Sequence, residues 1–99
     1  MNKSNPIYKI AENIVGIQRE FVTATLNAYG PEVDEIIRNG IQDKQRIECI
    51  LDWLLEAAYD EKALVYFKKL CRHLYFIDEQ GATFYVQSYR EMWDEESLK

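Results

Sequence analysis

ALVYFKKLCRHLYFI, residues 63–77, decides the fold: eleven of its fifteen residues are apolar or aromatic, and the exceptions are Lys68, Lys69, Arg72 and His73. On a 3.6-residue period Ala63, Phe67, Leu70, Leu74 and Ile77 form one stripe, flanked by Leu64, Tyr66, Cys71 and Tyr75, while the basic residues gather on the far side. A helix with so little polar face needs more than one neighbour to cover it, so this segment is expected at the centre of a small bundle. Val65 and Phe76 also lie on the basic side and need cover of their own.

Outward from this stretch, Asp60 is placed to cap the central helix, and Asp43 to cap a preceding helix that runs through Tyr59. The core face of that preceding helix is Ile47, Ile50, Leu51, Leu54, Ala57 and Ala58, with Glu48, Asp52 and Glu56 on its outer side. The turn between the two is too short for anything but an antiparallel hairpin. If the hairpin turns about residue 60, Asp52 lies level with Lys68 and Glu48 with Arg72, so the acidic and basic flanks are expected to meet.

Upstream, Asn5-Pro6 starts a long helix in which Ile7, Ile10, Ile14, Ile17, Phe21, Ala24 and Ala28 recur at steps of three and four. Gly30-Pro31 is expected to stop it, leaving Pro31 to Asn39 as a short connecting helix with Arg38 near its negative end and Gly40 beyond. The positions flanking the stripe carry no opposed charges, which favours a bundle helix over a coiled-coil seam. Downstream, Asp78 to Gly81 is a second tight break. It leads to a last segment whose Ala82, Tyr85, Val86, Tyr89, Met92 and Trp93 share a helical face. Thr83 to Val86 has strand-like composition, but a lone strand without a partner is unstable, so helix is expected. The prediction is an all-α single domain over 1–99: four main helices plus one short connector, with 1–5 and 95–99 frayed.

Composition narrows the function. A chain of 99 residues builds one core, and 47% hydrophobic with 29% charged residues describes an ordered globule. The net charge of −5 repels nucleic acid and anionic membrane at long range. The longest apolar run, Ala63 to Phe67, is far short of a membrane span, and Asn5, Pro6, Glu12 and Asn13 interrupt any signal-peptide core, so a cytoplasmic location is expected. Cys49 and Cys71 lack Cys-x-x-Cys spacing, and their helical phases diverge; both are expected as free thiols.

Catalytic and metal constellations are not evident. A bundle di-metal site needs inward carboxylates with Glu-x-x-His, and His73, the sole histidine, has Leu70 three residues before it. No Gly-rich phosphate loop or Ser/His/Asp grouping occurs, so neither an enzyme, a metal nor a cofactor is expected. Helix 61–77 after a tight turn superficially resembles the second helix of a helix-turn-helix. Its early positions, Glu61, Lys62, Val65 and Tyr66, suit base reading poorly. The expectation is a protein-binding or regulatory module whose partner is another protein or a second copy of the chain, as a structural homodimer. The candidate interaction patch is Lys69, Arg72, His73, Phe76 and Phe84: two rings rotated off their core stripes on either side of one turn, beside basic residues.

Overall fold

A computed structural model describes the backbone of residues 6–93 and the side chains from Val15 to Trp93; both ends expected to fray lie outside the described residues. The chain forms α1 (Pro6–Asn39), α2 (Lys44–Glu56), α3 (Glu61–Tyr75) and α4 (Glu79–Trp93), with no strand among the described residues. Residues that meet across the helices give their directions. The Phe21 and Trp53 rings meet at a tilt, centroids 6.2 Å apart, and Glu32 pairs with Arg46 at 2.8 Å, so α1 is antiparallel to α2. Tyr85 bonds to Glu48 and Asp52 while Trp93 bonds to Leu55, so α4 runs parallel to α2. Between them α3 runs the other way and touches all three remaining helices, whereas α1 and α4 do not touch each other. The central place expected for 63–77 is the one it occupies.

Four of the five stripe residues are buried, Ala63, Leu70 and Leu74 with no exposure and Phe67 with 2%, whereas Ile77 lies beyond the end of α3 and is partly buried. Phe67, Leu70 and Leu74 meet Ile47, Leu51 and Leu54 of α2 and Val33 and Ile36 of α1 in one cluster, closed by Ala82 and Tyr85 of α4. Capping chemistry sets the helix starts. The Asp43 carboxylate accepts from the Arg46 amide at 3.2 Å, and that of Asp60 accepts from Lys62 and Ala63 at 3.0 and 3.1 Å. Thr83 to Val86 is helical, within α4.

The expected short connecting helix does not exist, because α1 runs unbroken through Gly30-Pro31 to Asn39. Proline there leaves the Asn27 carbonyl without its helical donor, at a cost of about 3 kcal/mol. Against that, Val33 and Ile36 continue the stripe of buried Thr25 and partly buried Tyr29 across the proline, and Val33 and Ile36 have no exposure. Burying two such side chains contributes about 1.5–3 kcal/mol each, which outweighs the lost bond. Gly30 helps, since it lies under Tyr66 so closely that an added Cβ would come within 3.3 Å of the ring. The helix ends instead at Gly40, whose φ of 62° closes the end with two bonds, Ile41 N–H to Ile36 O at 3.0 Å and Gly40 N–H to Ile37 O at 3.3 Å.

The acidic and basic flanks of the α2–α3 hairpin do not meet as expected. It is α4 that lies against the acidic flank of α2: the Tyr85 hydroxyl donates to the Asp52 carboxylate at 2.7 Å and to the Glu48 carbonyl oxygen at 3.2 Å. Burial first, then the hydrogen bond and charge of Asp52, push the Tyr85 pKa up and keep it a donor. The ion pairs among the described residues lie elsewhere, Arg46 with Glu32 and Glu35, and Lys44 with Asp78.

Asp78 has two tasks: its Oδ1 accepts from the Gly81 amide at 3.1 Å at the start of α4, and its Oδ2 pairs with Lys44 at 2.8 Å. The Lys44 hydrogen bond, followed by that of Gly81, holds the carboxyl below its ordinary range. A carboxyl with a depressed folded pKa contributes stability that is present above its unfolded value of about 3.9 and lost as pH falls through the folded one. Asp78→Asn keeps a capping side chain and removes the charge. Its urea midpoint is expected below that of the wild type at about pH 6, with the gap closing at about pH 2. A gap of equal size at both pH values would assign the effect to packing.

α1 is much the longest helix, and at 34 residues it accounts for the 54 Å long dimension of the molecule. Gln18 is level with the α2–α3 turn, where its carbonyl oxygen accepts from the Tyr59 hydroxyl at 3.2 Å. The start of α1 therefore runs past the other three helices by about 18 Å. The shortest dimension is 18 Å, only two helix layers deep.

Candidate functional site

Two layers leave one flank of the α3–α4 pair without a helix over it among the described residues, and a groove of about 450 Å³ lies there. Antiparallel pairing makes its floor: Phe67 and Cys71 of α3 meet Ala82 and Tyr89 of α4, with the Phe67 and Tyr89 rings 5.9 Å apart. The α3 wall continues the helix in turns through Leu64, Lys68, Cys71, Arg72, Tyr75 and Phe76. The α4 wall is Thr83 and Val86. Three rim side chains give apolar surface to water, Tyr75 at 49% exposure, Phe76 at 82% and Val86 at 39%.

The charged side chains among the described residues that line this groove have one sign: Lys68 and Arg72 are exposed on the α3 wall, one helical turn apart, and none of the described lining residues is a carboxylate. Neither takes part in the ion pairs of the described residues. In a chain with 17 acidic and 12 basic residues this is a local inversion of the overall balance. Cys71 in the floor is 5% exposed, and burial pushes its thiol up to about 12, so at neutral pH it is a neutral apolar group and no nucleophile. Cys49 is exposed on the far side of α2, and both thiols are free.

The five residues of the candidate patch face different ways. Arg72 and Phe76 share the groove. Lys69 sits over the Tyr66 ring, 5.6 Å from its centroid, on the side of α3 toward Gly30 of α1. His73 is half-buried, its Nε2–H donating to the Ile41 carbonyl oxygen at 2.7 Å, which ties the α1–α2 connection to α3. Phe84 is 64% exposed but does not line the groove; its ring meets its neighbour Tyr85 edge-on at 5.4 Å. Phe76 likewise meets Tyr75 edge-on, at 5.9 Å.

Lys68, Tyr75, Thr83 and Val86 line the walls of the groove but stood outside the candidate protein-interaction patch; Lys68 entered only the nucleic-acid alternative. A signal for Lys68 and Tyr75 existed: Leu64, Lys68, Cys71 and Tyr75 recur at steps of four, three and four, a second stripe beside the core stripe. No group of His, Cys, Asp and Glu able to hold a metal occurs among the described residues, and no described helix is long and apolar enough to cross a membrane. No protein family, characterised protein or solved structure matches the chain.

Proposed function

We propose that this protein acts by contact, as a protein-binding module whose working surface is the α3–α4 groove. One observation carries the reading: an apolar groove with aromatic rims and two unpaired cations, on a chain whose net charge is −5. Aromatic side chains with Arg are the usual composition of binding hot spots, and half-exposed rings beside a buried floor gain most from being covered. The candidate patch enters this reading through Arg72 and Phe76, joined by Lys68, Tyr75 and Val86.

The test is photocrosslinking in cells, with a benzophenone side chain placed at residue 86 in the groove or at residue 84 outside it. A protein adduct that forms from position 86 and not from 84 is expected. Adducts of equal yield from both positions, or none from either, would remove the groove as the working surface. A gel shift at low salt separates the helix-turn-helix reading, since a nucleic-acid contact made by Lys68, Lys69 and Arg72 weakens steeply as salt is added.

A further inference from the structure

We propose that the occupant of the groove is one amphipathic helix of about three turns with carboxylates along a single flank, lying on α3 and α4 as a further helix of the bundle. The proposal rests on the protein-binding reading above and specifies its partner. Size is the first argument. From Leu64 to Phe76 the α3 wall covers about 18 Å, the length of three to four helical turns. Two packed helices present ridges along which a third helix seats apolar residues spaced three and four apart.

The rims are the second argument. A thin amphiphile such as a fatty acid could fill the floor between Phe67, Cys71 and Ala82. It would leave Tyr75, Phe76 and Val86 still facing water. A helix, with side chains about 10 Å across, spans from one wall to the other and covers all three.

Charge decides the flank. Lys68 and Arg72 stand four residues apart on the α3 wall, and the opposite wall offers Thr83 and Val86. Carboxylates one turn apart on the flank toward α3 would meet both cations, whereas basic residues there would meet like charge. The net −5 of the chain opposes an acidic partner at a distance, but salt screens that repulsion beyond about 8–10 Å, and the contact charges remain.

The test is a display library of a helix of roughly 12 residues, held on a helical scaffold and with its surface positions randomised, selected on the wild-type chain and counter-selected on Val86→Glu. Val86, Lys68 and Arg72 are exposed, so unchanged circular dichroism melts should confirm that the variants fold. Enriched sequences are expected to carry apolar residues three and four apart with Asp or Glu on one flank. They should lose about tenfold or more in affinity on the Lys68→Glu/Arg72→Glu variant. Selection on that variant should return Lys or Arg at the same positions.

No enrichment, or enriched helices indifferent to reversing Lys68 and Arg72, overturns the proposal. So does dodecanoate bound in the groove in their place, or a wild-type dimer in sedimentation that Val86→Glu dissociates. If residue 86 crosslinks to a protein while the selection fails, the partner is not an acidic helix and the protein-binding reading stands. If residue 86 gives no adduct, that reading fails first.

Discussion

Truncating Leu74 to alanine is expected to lower the unfolding free energy by about 2–5 kcal/mol, measured as a shift in the urea midpoint at constant slope. Leu74 has no exposure and lies in a helix that touches all the others, so the cavity opens where three packing surfaces meet. The local backbone has little freedom to close it: the Leu74 carbonyl oxygen accepts from the amides of both Ile77 at 2.9 Å and Asp78 at 2.7 Å, and Asp78 begins α4. Collapse at this site would drag the α3–α4 turn inward, which places the cost toward the upper part of the range. For a domain whose whole stability is of the order of 5–15 kcal/mol, that is a large share. A loss below about 0.5 kcal/mol would mean that the α3 stripe is out of phase with the core.

The phase of α3 was legible because it depends on local spacing alone. Fifteen residues with an apolar stripe of Ala63, Phe67, Leu70 and Leu74 have one way to bury it, and Asp43 and Asp60 announce the helix starts by side-chain chemistry within three residues. Angular placement around α3 was not legible. Whether Asp52 faces Lys68 or Tyr85 depends on which flank of α2 receives α4, a choice made by packing over a sequence separation of 33 residues. The same holds for Arg46, whose partners Glu32 and Glu35 lie across the Gly40 turn.

The groove shows the same division. That Phe76 lies off the core stripe could be read from spacing, and it is exposed. That Phe84 would stand beside it could not, since rings level across a hairpin share a surface only if both helices turn the same flank outward. Here α4 turns Val86 toward the groove and Phe84 away from it. His73 could be read as a basic residue near a helix end, yet its bond to the Ile41 carbonyl depends on where the α1–α2 connection passes over α3, across 32 residues of sequence.

That continuity gives the second large effect: Ile36→Ala is expected to cost about 2–5 kcal/mol, although it lies in the segment that spacing assigns to a mere connector. Ile36 has no exposure, and its carbonyl oxygen accepts the Ile41 amide at 3.0 Å in the turn that ends α1. Its neighbour Ile37 is 38% exposed, and Ile37→Ala should cost well under half as much. A companion substitution tests the cause. Pro31 is exposed inside a continuous helix, so Pro31→Ala restores a donor to the Asn27 carbonyl and is expected to raise stability by about 1–3 kcal/mol. If Gly30-Pro31 were a true helix end, removing the proline would gain nothing and Ile36→Ala would cost little. Opposite signs for the two substitutions, read in the same urea titration, are therefore the signature of one helix held through its proline by the side chains buried beyond it.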